Sequence, residues 1–468
     1  MTERGDSRGF SPSVAAIFPL PLTAFERYML LDDSPGYPMV FALSARLSGE
    51  IDRRIFESCF DEVLLRHPLL CALVDRSARR GPVWVLAEKL KPIIDWGPVG
   101  AAVASPNGEA IDLGTEAGLR AWVRQGNGAA EVTLQFHHAC CDGGGSLRFL
   151  GHLLAEYAAR TSPAGQKPSP WPANPASLLE RGRFMADAAA IEGKAGRIKT
   201  AWSGLRDAAR WLGRRPASLC PDVSSPANHA APALFLETHR HVFEESETKM
   251  FLQAASRQRA TVNDLLLRDF FLTVRQWNAE QSPGSADRWI RIAAPFKLKT
   301  AADADMPAAN GVSYNFLTRR ESECVDHPEF LRGMSRENDP ATRFRRGRSF
   351  LRGFGLMERI PGAIPLFMGQ HRCFATAVLS NLGDVGRFFG TLFPIESGKI
   401  VAGNLVLEDI YGAPPVRRNT HAAFGIGTYG GRLWITVRRA PSGLSADGVR
   451  RLLGMYADRL LGGNQMPR

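Results

Sequence analysis

An α/β protein of two mixed halves, joined by a proline-rich excursion, is the fold class this sequence predicts. Three observations predict it. Residues 39–66 read as a strand followed by a helix, and residues 131–159 repeat that order. Between about 161 and 232 the composition changes, with Pro163, Pro168, Pro170, Pro172 and Pro175 at its start and Pro226 and Pro232 at its end. From 233 onward strands and helices alternate again. The expected organisation is therefore 1–160, a linker at 161–232, and 233–468.

Each element has a local reason. Residues 39–47 alternate, with Phe41, Leu43, Ala45 and Leu47 on one face. Residues 51–66 place Ile51, Ile55, Phe56, Cys59, Phe60, Val63 and Leu64 at helical spacing, and His67-Pro68 ends the helix. Residues 131–138 alternate as a strand. The turn ACCDGGG then leads to a helix from about Ser146 to Ala159, striped by Leu147, Leu150, Leu154 and Tyr157. Inside the linker a stretch of about 35 residues, rich in Ala and Arg, reads as helical. The second half starts with a strand near 234–243. Thr261 with Asp264 forms a capping-box pattern before Leu265, Leu266, Phe270, Val274 and Trp277. Residues 289–296 read as a buried strand, and 421–428 with 432–438 flank Gly430-Gly431 as a hairpin. Ser445 caps a terminal helix that stops at Gly462-Gly463. No short tandem repeat is visible.

Composition narrows the function classes. Over 468 residues, 44% hydrophobic and 22% charged content excludes a mainly disordered chain, a coiled coil and collagen. Net charge is 58 − 47 = +11, carried mainly by arginine. Arginine is the bidentate partner for phosphate and carboxylate, so phosphorylated ligands or anionic carrier surfaces fit; a codon bias toward arginine gives the same picture. The seven cysteines (59, 71, 140, 141, 220, 324, 373) are odd in number and irregular in spacing, which points to a reducing cytoplasm. Pro19 and Pro21 interrupt the short apolar N-terminal stretch, so no secretory signal is expected, and no run of about 18 apolar residues suggests a spanning helix.

The chemistry concentrates at His137-His138-Ala139-Cys140-Cys141-Asp142-Gly143, followed by two more glycines. Adjacent strand residues face opposite ways, so the two histidines cannot do the same job. His138 shares a face with Val132, Leu134 and Phe136 and sits where a loop opens. A histidine there can be neutral near pH 7 and accept a proton from a hydroxyl, amine or thiol. Glycines allow a sharp turn and close approach of a ligand. Asp142 is too near in sequence to be assumed an orienter of His138; it could equally hold the loop by a salt bridge.

These residues match the HHxxxDG motif of the chloramphenicol acetyltransferase-like superfamily, which includes condensation domains, wax ester synthases and polyketide-associated acyltransferases. The resemblance extends to Leu47-Ser48-Gly49-Glu50-Ile51-Asp52, to Arg66-His67-Pro68-Leu69-Leu70, to Thr261–Trp277, to Ser380-Asn381-Leu382-Gly383 and to the terminal hairpin and helix. It implies two acetyltransferase-like α/β subdomains arranged as a V, with an active-site tunnel at their junction. It implies His138 as general base, acting on an acceptor alcohol or amine that attacks an acyl thioester of coenzyme A or carrier phosphopantetheine. It makes His137 and Asp142 mainly structural, with Gly143 in the motif loop. Oxyanion donors are expected from the glycine loop or from Ser380 and Asn381. The family's aspartate pairs with an arginine ending a P-x-x-L-R stretch; here Pro295-Phe296-Lys297-Leu298-Lys299 puts Lys299 there, a donor without the bidentate fork. No bound cofactor and no metal are expected; the thioester is the donor substrate.

Other readings are weaker. Cys140 and Cys141 with the histidines crowd four ligands into five residues, which cannot easily converge on one tetrahedral ion. A cysteine nucleophile rests on motif positions that vary widely in such proteins. Gly425-x-Gly427-x-x-Gly430 matches a dinucleotide fingerprint, but a strand follows it, not a helix. Two basic stretches, 181–215 and 343–352, carry arginines beside Trp202, Trp211, Phe344 and Phe350. They read as solvated helix faces, as docking sites for an acidic carrier protein or coenzyme A phosphates, or as contacts with anionic lipid at a membrane surface. No nucleic-acid motif accompanies the charge. The expectation is thus a stand-alone acyltransferase of the cytoplasm, with peripheral membrane contact as one reading of the basic stretches. The alternative is a condensation-like binding or recruitment module that has lost catalysis.

Overall fold

The computed structural model describes residues 9–79, 81–87, 90–163, 168, 171–183, 211, 213–222, 235–357, 360–367, 372–390, 392–440 and 443–462. A seven-stranded sheet runs in the order Ile395–Glu396, Lys399–Ala402, Leu405–Ala413, Val40–Ser48, Ala129–His137, Leu119–Gly126, Ile94–Pro98. Its central pair is antiparallel, from Val40 opposite His137 to Ser48 opposite Ala129. That register delivers the histidines to one end of the sheet, where the His138 amide bonds Met39 O at 2.7 Å.

Three of these strands come from far along the chain. Leu405–Ala413 pairs with Val40–Ser48, placing Val406 opposite Ser48 and Ala413 opposite Ala42. Alternation along a strand reports that one face is buried, not which sheet buries it.

A six-stranded sheet forms the other layer, in the order Val312–Arg320, Trp289–Lys297, Ala377–Asp384, Ala422–Tyr429, Arg432–Arg439, His239–Val242. Ala377–Asp384 is parallel to both neighbours. Both faces of this sheet are covered. Val378 and Ala423 join the core shared with the first sheet, whereas Leu379 and Phe424 join a second core under the helices Glu245–Arg257, Val262–Gln281 and Ala446–Gly462. Burial on both faces explains the near-continuous apolar runs in these strands.

Local signals match well. Thr261 and Asp264 form the reciprocal capping box, and Ser445 Oγ accepts the Gly448 amide at 2.9 Å. Gly430 and Gly431 turn the hairpin at φ +55° and +77°, the left-handed region that favours glycine. Gly427 leaves room for Trp434, because a Cβ there would lie 2.4 Å from the indole. The motif helix differs from expectation. It spans Gly143–Thr161, so all three glycines lie in its first turn, with Asp142 as the N-cap. Most of the basic linker helix expected at 181–215 lies outside the described residues.

Candidate active site

The motif strand, the motif helix and residues 308–311 of the second half converge on His138. The strand Ala129–His137 ends one residue before it, and Phe41 from the paired strand packs on its ring at 5.0 Å. From the second half, Asn310 is buried, donates through Nδ2 to His138 O, and places the same nitrogen 3.1 Å from His138 Nδ1. Burial pushes the imidazole below its usual pKa, against smaller opposing effects of its bond to its own backbone and of the Asp142 charge. The ring is therefore neutral near pH 7, the state a general base needs.

Asp142 is fixed on every side. Its Oδ1 accepts the Gly145 amide at 2.6 Å and its Oδ2 accepts the Gly311 amide at 2.7 Å. Lys299 Nζ stands 3.7 Å from Oδ2 and donates to Ala309 O at 2.7 Å. Burial raises the Asp142 pKa, but Lys299, the two amides and Lys297 outweigh it, and the group is held below its usual range as a carboxylate. The lysine stem crosses Gly311 so closely that a Cβ there would lie 2.4 Å from Lys299 Cε.

His137 points away from His138. It is fully buried, its Nδ1 accepts the Ala139 amide at 3.1 Å, and its Nε2 lies 3.7 Å from Asp33 Oδ2. The motif glycines serve contact between the halves. A Cβ on Gly143 would meet Leu382 Cδ2 at 2.7 Å, and one on Gly145 would meet Cys141 Sγ at 2.9 Å and Ala309 N at 3.2 Å. Cys140 and Cys141 are buried and their thiols are pushed far up by desolvation, which disfavours the nucleophilic thiolate. All seven cysteines are free. Among the described residues no group of three or more His, Cys, Asp and Glu side chains is arranged to hold a metal ion.

Ser380 lies on the strand Ala377–Asp384, two residues after Val378 and so on the face turned toward the first half. Asn381 has both amide atoms engaged, Oδ1 by Gly383 N at 2.8 Å and Nδ2 by Asn263 Oδ1 at 3.1 Å.

Sequence reasoning missed the clamp formed by residues 308–311. Ala308 N donates to His67 Nδ1 at 2.8 Å, which leaves the proton on His67 Nε2, 2.7 Å from His152 Nδ1 on the motif helix. The histidine of the RHP stretch thus ties the second half to that helix. Nothing local in Ala308-Ala309-Asn310-Gly311 signals this role, because its partners lie more than 150 residues away in sequence.

No family model matches the chain. The uncharacterised protein Rv2305 of Mycobacterium tuberculosis is 26% identical over 322 residues, covering 66% of this chain and 68% of that protein. SgcC5 of Streptomyces globisporus superposes with a TM-score of 0.63 at 17% identity, over 96% of this chain and 99% of its own. The starter condensation domain of rhizomide synthetase RzmA, solved with C8-CoA, gives 0.65 at 13% identity, over 97% and 98%. The chain has the condensation-domain fold. In that fold two chloramphenicol acetyltransferase-like subdomains meet; in this chain His138 and Asp142 of the motif contact residues 308–311. No described helix is long and apolar enough to cross a membrane.

Proposed function

We propose that the protein transfers an acyl group from a thioester of coenzyme A, or of a carrier-bound phosphopantetheine, to an alcohol or amine, with His138 as general base. The observation that carries this reading is the placement of a neutral, desolvated imidazole at the contact between the halves, flanked by a fixed carboxylate. The RzmA domain, solved with C8-CoA, supports a thioester donor.

His138 takes the proton from the acceptor hydroxyl or amine as its O or N attacks the thioester carbonyl. The C–S bond then breaks, and the imidazolium returns the proton to the departing thiolate. No acyl-enzyme forms, and no cofactor beyond the donor is needed. Ser380 is the proposed side-chain oxyanion donor. Asn381, with its amide committed to Gly383 and Asn263, would shape the loop that carries it. Asp142, Lys299 and His137 hold the motif in place. The acceptor class favoured is an alcohol yielding an O-acyl lipid or natural-product ester.

The test is thiol release from a panel of acyl-CoAs with simple alcohols and amines, for wild type and His138→Ala. Acceptor-dependent release that the substitution abolishes supports the reading. Silence with every acyl-CoA and with acyl-loaded carrier proteins would instead favour a non-catalytic module of the same fold.

A further inference from the structure

Among the described residues, most buried or half-buried arginines have an acidic partner: Arg181 has Glu26, Arg240 has Asp409, Arg417 has Asp32 and Arg438 has Glu109. Arg148 and Arg291 lack one and pack on Trp171 and Trp211 instead, and a further set of unpaired arginines is gathered on one surface beside exposed aliphatic side chains. The helix Pro340–Met357 buries Gly347, Leu351 and Phe354, and presents Arg345, Arg352 and Leu356 at spacings of seven and four on another face. Leu356 is 60% exposed. Ile360 and Leu366 follow at 61% and 82%, while Met357 and Ile364 pack inward. Phe367, at the end of the short helix Ala363–Phe367, stacks on Trp211, and Arg372 packs on both rings beside Arg215.

Among the described residues, Arg345, Arg352, Arg215 and Arg372 have no ion-pair partner; the sequence from 340 to 372 carries seven arginines against one acidic residue, Glu358, which lies outside the described residues. Three protruding aliphatic side chains set among four unpaired arginines are costly to leave in water and do not match a hydrophilic acidic protein surface. They match an interface that offers acyl chains and anionic headgroups together.

We infer that the surface formed by Arg345, Arg352, Leu356, Ile360, Leu366, Arg372 and Arg215 seats the protein on an anionic lipid surface. Leu356, Ile360 and Leu366 enter the acyl boundary, and the arginines meet the headgroup phosphates. The inference stands apart from acyl transfer, since it concerns where the protein sits and not what His138 does.

The experiment is co-sedimentation of the full chain with vesicles of phosphatidylcholine alone, or of phosphatidylcholine with phosphatidylglycerol, at low and high salt. The expected result is binding only to the anionic vesicles, weakened by salt. The double substitution Ile360→Asp/Leu366→Asp should raise the lipid concentration for half-binding at least about tenfold, and Arg345→Glu/Arg352→Glu should do so by roughly fivefold per charge removed. Ile93→Asp is the control: an aliphatic residue 82% exposed elsewhere, whose change should leave binding intact. Circular dichroism melts of each variant exclude misfolding as the cause. No binding to anionic vesicles, or equal loss in the Ile93 variant, overturns the inference. So does binding of an acidic carrier protein, blocked by the same substitutions, in place of vesicle binding.

Discussion

Asn310 and His138 are joined across the two halves: one amide nitrogen donates to the histidine's carbonyl and sits 3.1 Å from its Nδ1. The imidazole also bonds its own backbone. The Asn310 amide can donate to a bare Nδ1, whereas general-base chemistry at Nε2 requires the tautomer with Nδ1–H turned to that carbonyl. Replacing Asn310 with Ala removes the group that holds the carbonyl and shields Nδ1. The expected result is a kcat loss of about 10- to 100-fold with little change in melting temperature. Asn310→Asp puts a carboxylate beside Nδ1 and should raise the imidazole pKa by about one unit or more. The pH profile of kcat/KM reads this directly, because a purely structural role for Asn310 would not move it.

The wild-type profile has a defined sign. Desolvation holds the His138 pKa below 6.5, so the basic form dominates at neutral pH. Activity should be flat through pH 7 and fall only as pH drops through a midpoint below 6.5. The titratable neighbours are Asp142, whose charge raises that midpoint, and His137, which lowers it. His138→Ala should remove the acid limb and about 100- to 10,000-fold of the rate. A limb that persists in the variant would assign it to another group.

Lys299 stands where the resemblance leads one to expect arginine, and it satisfies Asp142 differently. It makes one ion pair at 3.7 Å and one bond to Ala309 O, while backbone amides supply the other contacts. Lys299→Met leaves the buried carboxylate with only the more distant Lys297 and the two amides to offset its charge, and should destabilise the fold by about 3 kcal/mol. Lys299→Arg must fit a larger head beside Gly311, over which the lysine stem already passes in close contact. Denaturant unfolding of the two variants measures both costs.

Much of the scaffold is legible in the sequence because the deciding signals are local. Alternation marks Val40–Ser48, the Thr261/Asp264 box starts its helix, and Gly430-Gly431 turns the hairpin. Within the candidate site, the motif locates His138, and strand geometry separates it from His137. What stays hidden depends on distant partners. Leu405–Ala413 has an unremarkable strand pattern, yet it pairs with residues some 360 positions earlier. Asn310 and His67 gain their roles only when residues 308–311 dock on the motif helix. The motif glycines look like a turn, but they serve close packing against Leu382 and Ala309.

Glu26 and Arg181 form a buried bidentate pair at 2.7 and 2.9 Å, tying the helix Ala24–Asp32 to the first part of the linker. Thr23 N and Trp84 Nε1 also donate to Glu26, and Arg181 donates to Pro21 O. Glu26→Gln keeps the shape but strands a buried guanidinium. A loss of about 3–5 kcal/mol is expected in denaturant titration. Replacing both residues with apolar side chains of similar volume should cost less than either single change, since it removes the stranded charge.

The His67–His152 pair predicts how the junction fails in acid. Burial, the neighbouring ring and Arg148 keep His67 well below 6.5, and burial with Arg148 lowers His152 to about 3. Both rings are thus neutral in the folded protein, but both bind a proton in the unfolded chain once pH falls under 6.5. The unfolded state then holds more protons, and stability declines as pH drops from about 6.5 toward the folded-state values. The limiting slope is about 1.4 kcal/mol per pH unit for each histidine. Because His67 also accepts the Ala308 amide, protonation there would break the tie that seats residues 308–311 against the motif helix. A His152→Gln variant removes one titrating group and should flatten the decline of the melting temperature between pH 6.5 and 4.5 relative to wild type. An unchanged slope would place the acid sensitivity in other groups.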